Sequence, residues 1–533
     1  MHENLLFILG LLFAVMLLVM LAQKMRIAYP IFLVLAGLGI GFIPGMPVLK
    51  LDPEMIFLIF LPPLLYEAAW FTSWKDFKKW SGGIALLAFG LVFFTSLVVG
   101  YASQFLIPGF TLALGFLLGG IISPPDAVAA TTVLKGLKVP HRTLTLLEGE
   151  SLVNDASSLI VFRFALAAVL TGVFSMEQAA GQFFIVAGMG IVIGLAGAHV
   201  MYVIHRFLPT SDTIDATLTV MTPYILFLSA EHFHFSGVMA VVSGGLFMSF
   251  RAHEMFKTGS TRMNMNSVWR TLIFVMNTLV FILIGLELPE IVQGLGRTSI
   301  TEAIKYGVLI SFIAIFVRLL WVFSTLHIGH WFSAKKKLKP SPGWRNPLII
   351  GWAGMRGVVS LATALSIPLY MNDGKIFPQR ELIIFITFVV IFITLVFQGL
   401  TLPAVIKLAG IEELDPVLPD HEQHAGIRLR LEKVALERLK EQYPSSNNSI
   451  LRGYENSLLR EIEGHEVYLR SVEVCMNRDV ERKEFQLVMA DIHDHQRMEL
   501  FKMKKEKTYT DEAIRKAEQL LDINDLRVAE NPL

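Results

Sequence analysis

One cysteine, Cys475, stands in a chain of 533 residues. It has no partner for an internal disulfide and no second thiol for a cysteine-based zinc site. Charge is scarce too: Asp, Glu, Lys and Arg make up 17% of the chain, and the net charge is +1. Nucleic-acid surfaces need a basic excess to replace counterions around phosphates, so that partner is excluded. The first residues lack a basic n-region and a clear small-residue cleavage site, so Leu5 to Leu21 reads as a first spanning helix rather than a removed signal. The apolar runs hold no His-rich metal set and no nucleophile paired with a base. Catalysis therefore has no candidate centre, and neither an enzyme nor a cofactor is expected.

What is abundant is apolar surface. Hydrophobic residues are 54% of the chain and the mean hydropathy is +0.57, beyond what a soluble core needs. The apolar residues come in runs near the roughly 20 that a helix needs to cross hydrocarbon. We place thirteen spans at 5–22, 30–43, 55–71, 82–101, 110–134, 148–170, 181–204, 215–231, 235–250, 268–288, 303–330, 347–370 and 381–408. Loop charge tests the count, because cytoplasmic loops hold the Lys and Arg. Alternate loops carry Lys24 and Arg26; Lys75, Lys78 and Lys79; Lys135, Lys138 and Arg142; Arg206; Arg251, Lys257 and Arg262; and Lys335, Lys336, Lys337, Lys339 and Arg345. The intervening loops hold Lys50, Arg297, Lys375 and Arg380. This alternation puts the N-terminus outside and the C-terminus inside. Residues 1–410 then form a transmembrane domain in the cell membrane, and 411–533 a charged, mainly helical cytosolic tail with a turn at Pro444.

Ionisable side chains at membrane depth are costly, so each is a functional candidate. They are Glu67, Asp126, Glu148, Glu150, Asp155, Arg163, Arg318 and Arg356. Pro124 and Pro125 lie inside the fifth span, where proline removes backbone donors, so that helix is expected to break beside Asp126. Gly351, Gly354 and Gly357 interrupt the twelfth span similarly. Two broken helices seven spans apart run in opposite directions, as expected of inverted repeats crossing at a midplane site. Ser151, Asn154 and Asp155 follow i, i+3, i+4 spacing and share one helical face. A carboxylate, a hydroxyl, an amide carbonyl and freed backbone carbonyls suit a hard cation such as sodium. The same carboxylate can hold a proton instead, and competition for one group gives coupled exchange.

The motifs LPPLLYEAA, SPPDAVA, GESLVNDASS and GWAGMRGVVSLA, in that order, resemble those of monovalent cation:proton antiporter family 1, which contains NhaP-type and NHE-type sodium/proton exchangers. The resemblance covers about residues 1–410. It implies an all-α membrane antiporter exchanging Na+ (or Li+) for H+ by alternating access, electroneutral at 1:1, and working as a homodimer. It further implies that Asp155 is the transport carboxylate and Asn154 its partner, with Asp126, Ser151 and Glu67 helping to form the ion site. Glu150 and Arg318 would form an ion bridge, and Arg356 would be the arginine of the second broken helix. The second proline of SPPDAVA departs from the threonine of many relatives, which removes a hydroxyl. Potassium/proton exchange by the same architecture is the alternative, followed by a gated cation channel, which predicts current without proton coupling. Glu148 and Arg163 receive no role. The tail, whose regulator is unknown, carries His421, His424, His493 and His495, read as solvated; Gly37, Gly39 and Gly41 are read as helix-packing positions.

Overall fold

The computed structural model describes residues 2–43, 53–134, 137, 139–172, 176–256, 258–295, 299–333, 343–371, 373–410, 420–443, 448–470, 472–506 and 511–530. Lys50, Lys135, Lys138, Lys257, Arg297, Lys335, Lys336, Lys337, Lys339 and the Pro444 turn lie outside them, as do the side chains of His421 and Cys475.

The chain is all-helical. Before the first break run α1 (His2–Lys24), α2 (Tyr29–Gly41), α3 (Pro53–Phe71), α4 (Trp74–Ala85), α5 (Val92–Leu106) and α6 (Leu112–Ile122). Next come α7 (Ala127–Leu134), α8 (His141–Thr171), α9 (Met176–Phe207), α10 (Asp212–His232), α11 (Gly237–Met255), α12 (Gly259–Leu286), α13 (Leu288–Gly294) and α14 (Ile300–Ser333). The second break separates α15 (Arg345–Trp352) from α16 (Val358–Leu365), and α17 (Arg380–Phe392) and α18 (Gly399–Ala409) follow. The tail holds α19 (Asp420–Gln442), α20 (Ser449–Arg470), α21 (Val472–Glu506) and α22 (Asp511–Glu530).

Local chemistry sets many of these ends. The side chains of Ser73, Thr111, Ser211, Ser236 and Thr258 each accept a hydrogen bond from the backbone N–H three residues on, capping α4, α6, α10, α11 and α12. Gly172 and Gly410, at φ of 72° and 55°, end α8 and α18 in the left-handed region that glycine tolerates. Leu86–Leu91 and Ile393–Gln398 adopt π-helical turns, so α4–α5 and α17–α18 form two continuous long helices. Neither turn was expected from hydropathy, which does not distinguish α from π spacing.

Seven helices among the described residues are long and apolar enough to cross a membrane unaided. The first, second, third and fifth expected spans correspond to shorter apolar stretches, and the twelfth to two eight-residue helices. Helix length and composition therefore support spanning architecture without fixing thirteen crossings. Lys75, Lys78 and Lys79, expected in a loop, instead lie inside α4, because a Ser73 cap starts that helix before its apolar stretch.

The chain divides into two compact units, residues 1–414 and 415–533. In the first, two buried apolar clusters both draw on α8: Leu146, Leu147, Phe162 and Ala165 belong to one, and Leu152, Val153 and Ala156 to the other. Asp155 thus sits where the clusters adjoin. Lipid tails are as apolar as leucine, so close packing of small residues has to hold such helices together. A Cβ on Gly37 would press into the Ile282 carbonyl and the Gly285 backbone, locking α2 against α12, whereas Gly39 has open space.

In the second unit, α19 pairs with α20 and α21 with α22. His493 is buried, contrary to the solvated reading, because it lies against Asp525 across the α21–α22 seam. His424 and His495 are exposed.

Candidate functional site

Both breaks fall where proline and glycine disfavour helix. α6 stops at Ile122 and α7 starts at Ala127, leaving Ser123, Pro124, Pro125 and Asp126 outside both helices. α15 stops at Trp352 and α16 starts at Val358; Gly351 still belongs to α15. The two stretches clasp each other. The Asp126 N–H donates to the Met355 carbonyl at 2.6 Å, and Arg356 Nε donates to the Ile122 carbonyl at 3.0 Å. Backbone groups freed by each break are thereby satisfied by the other, as irregular backbone at membrane depth requires.

Asp126 sits at the meeting point of two helix starts. Its Oδ1 accepts from the Val128 N–H at 2.8 Å, at the beginning of α7. A Cβ on Gly357, which precedes α16, would overlap its Oδ2. The positive ends of two short helices therefore converge on this carboxylate. Only glycine leaves room at position 357, for steric reasons: its φ of −131° suits any residue.

A cavity of about 70 Å³ brings together Asp126, Ser151 and Asp155. Asp155 is nine-tenths buried. The cavity's walls also include Leu64, Ala68, Pro124, Pro125, Leu152, Asn277, Gly357 and Ser360, so five parts of the fold contribute: both breaks or their helices, α3, α8 and α12. Asn154 is fully buried and does not line the cavity; its Nδ2 donates to the Pro125 carbonyl at 2.8 Å, bracing the first break against α8. Glu67 is half-buried on α3 and is not part of the wall either, although Leu64 and Ala68 beside it are. Ser157 Oγ fixes α8 to the first π turn through the Ala88 carbonyl at 2.5 Å.

The buried cations of this region are committed elsewhere. Arg318 makes a bidentate ion pair with Glu150 at 2.5 and 2.8 Å, and its Nε and Nη2 also donate to the Ile350 carbonyl. Both partners are essentially inaccessible to solvent. Arg356 donates to the Ile122 and Gly354 carbonyls, and its own N–H goes to the Thr394 hydroxyl in the second π turn. Among the described residues, neither Asp126 nor Asp155 takes part in an ion pair. Arg163 pairs with Glu231 at 2.7 Å, while Glu148 is exposed on α8. Two neighbouring carboxylates without a protein countercharge need a proton or a cation to neutralise them.

Sequence reasoning missed Ser360 and Asn277, both on the cavity wall. Ser360 lay within a quoted motif, but nothing local distinguished its hydroxyl from those of Thr363 and Ser366. Asn277 was legible only as one polar residue in the apolar stretch of α12.

Comparison with known proteins shows the family and the fold. A family model described as "Sodium/hydrogen exchanger, transmembrane" matches residues 10–408. The "Sodium, potassium, lithium and rubidium/H(+) antiporter" of Bacillus subtilis is 34% identical over 434 residues, covering 79% of this chain and 63% of that one. The chain thus spans less than two thirds of that relative's length. The "Na(+)/H(+) antiporter ApNhaP" of Aphanothece halophytica is 31% identical over 82% of this chain and 84% of its own. Among solved structures, the sodium proton antiporter MjNhaP1 of Methanocaldococcus jannaschii superposes with a TM-score of 0.58 at 22% identity, over 77% of this chain and all of that one. That likeness shows a shared fold.

Proposed function

The chain belongs to the sodium/hydrogen exchanger family, and from that premise we propose that it is a membrane antiporter exchanging a monovalent cation, Na+ first, for H+. One observation carries the reading: Asp126 and Asp155 line one cavity while both nearby buried arginines are engaged elsewhere. The countercharge must therefore come from solution, as a proton or as a cation. We assign Asp155 as the group that alternates between them. Asp126 and Ser151 supply further oxygens, Asn154 holds the Pro125 carbonyl in place, and Glu67 lies on the route to the cavity from α3. Glu150, Arg318 and Arg356 hold the frame. Because Asp155 accepts one proton or one monovalent cation, exchange is 1:1 and electroneutral, and alternating access presents the cavity to each side in turn.

The remaining parts of the reading are that two copies associate, that residues 1–410 carry transport, and that residues 411–533 regulate it from the cytoplasm. The N-terminus is then outside and the membrane is that of the cell. Potassium transport is the second reading, favoured by the ions in the name of the Bacillus subtilis relative.

The test is cation-driven collapse of a pH gradient in vesicles with the membrane potential clamped, using Na+, Li+ and K+, for wild type and Asp155→Asn. Loss of exchange in the variant supports Asp155 as the shared carrier. Undiminished exchange sinks the single-carboxylate mechanism and moves attention to Asp126 and Glu67.

A further inference from the structure

We propose that the Ser360 hydroxyl is a further oxygen ligand of the transported cation, supplied by the second broken helix, and that it helps to set preference among monovalent cations. The inference rests on the cavity being the transport site.

Ser360 is 1% exposed, and its Oγ has no hydrogen-bond partner among the described residues. Buried hydroxyls normally find a partner. Buried Thr363, also on α16, does: it donates to the Val359 carbonyl at 2.6 Å, and half-buried Ser366, just past the helix, donates to the Thr363 carbonyl at 2.8 Å. Ser360 is the exception for a reason written into the break. Its carbonyl four residues back belongs to Arg356, which lies in the non-helical stretch before α16, so the usual back-bond within a helix is not formed. Ser360, with this unpartnered hydroxyl, is one of the residues that line the cavity Asp126, Ser151 and Asp155 share.

A hydroxyl oxygen carries two lone pairs, and sodium favours hard oxygen ligands. Ser151 and Asp155 reach the cavity from α8 and Asp126 from the first break. Ser360 adds an oxygen from α16, whose preceding stretch is tied to Asp126 by the Met355 carbonyl. The cation is then held by both broken helices at once. Asn154 Oδ1 is likewise without a hydrogen-bond partner among the described residues, but Asn154 does not line the cavity, so the same argument does not extend to it.

The experiment uses the full chain in proteoliposomes. Apparent KM for Li+, Na+ and K+ is measured at one pH with the potential clamped, for wild type, Ser360→Ala, Ser360→Thr and Asp155→Asn. Thermal stabilisation of the purified proteins by NaCl, LiCl and KCl gives a binding readout independent of transport. Loss of a ligand to a charged partner predicts a rise of about tenfold in the Na+ KM for Ser360→Ala. The factor differs for Li+ and K+, because one wall of the oxygen shell is altered, and Ser360→Thr, which keeps the hydroxyl, restores the wild-type order. An unchanged KM series, or the same weakening for all three ions, overturns the assignment and leaves Ser360 as a packing residue or the host of a structural water. If Ser360→Ala fails to fold, Ser360→Cys applies the same test by exchanging a hard oxygen for a soft sulfur. Exchange that survives Asp155→Asn is a failure of the site reading itself; exchange that needs Asp155 but ignores Ser360 overturns this inference alone.

Discussion

Removing Glu150 strands a guanidinium that has almost no contact with solvent. Arg318 and Glu150 are 1% and 0% exposed and share two charge-assisted hydrogen bonds, while the Ile350 carbonyl takes the remaining bonds on that side. Breaking a buried pair from one side costs about 3–5 kcal/mol, because the remaining charge stays buried without compensation. Glu150→Leu and Arg318→Met are each expected to lose stability in that range. The double variant Glu150→Leu/Arg318→Met removes both charges and fills the space with apolar atoms, a change that is often neutral or stabilising. It is expected to lie within about 1 kcal/mol of wild type, a coupling of at least about 5 kcal/mol between the two sites. Denaturant-dependent unfolding of the detergent-solubilised protein, followed by tryptophan fluorescence, reads the four corners of this cycle. Single losses that simply add in the double variant, to within about 0.5 kcal/mol, would refute the pair as a coupled buried unit.

Other outcomes follow from the same geometry. Gly357→Ala places a methyl group on the Asp126 carboxylate and is expected to lower the exchange rate at least about tenfold, a modest consequence for an overpacked site; Gly39→Ala, with open space around it, is the control, and equal activity in both disproves the steric account. Asn154→Ala releases the Pro125 carbonyl and is expected to cost about 1–3 kcal/mol, measured by thermal unfolding; a loss below about 0.5 kcal/mol would show that the brace is dispensable. In the tail, hydrogen bonds from Arg497 first and His493 second hold Asp525 below the usual carboxylate range. Its contribution is therefore fully present above the ordinary carboxylate value of about 4 and is lost as pH falls through the lowered one. Amide exchange across Asp511–Glu530 in the full chain should quicken on that acid limb, and should lose this step in Asp525→Asn; identical profiles would remove Asp525 from the seam.

Much of this architecture is legible one residue at a time. Hydropathy runs locate the apolar stretches, and Pro124, Pro125 and Gly357 mark where helix cannot continue comfortably. Spacing alone puts Ser151 and Asp155 on one face of α8. These are local properties, set by side-chain chemistry over a few turns. The same local rule overreached at Asn154, which shares that face in sequence but turns its amide to the Pro125 carbonyl, and at His493, whose burial needs a second helix.

The sequence by itself determined that the chain is helical, apolar and interrupted twice beside ionisable residues, because backbone sterics and the exclusion of water act within one segment. Tertiary structure decided which groups meet. Glu150 finds Arg318 168 positions away, and Arg356 finds the Ile122 carbonyl across 234. Those pairings leave Asp126 and Asp155 together without a protein cation among the described residues, and Ser360 lines the same cavity without a hydrogen-bond partner there. Helical periodicity fixes the face a side chain occupies; close packing of the other helices determines what that face meets.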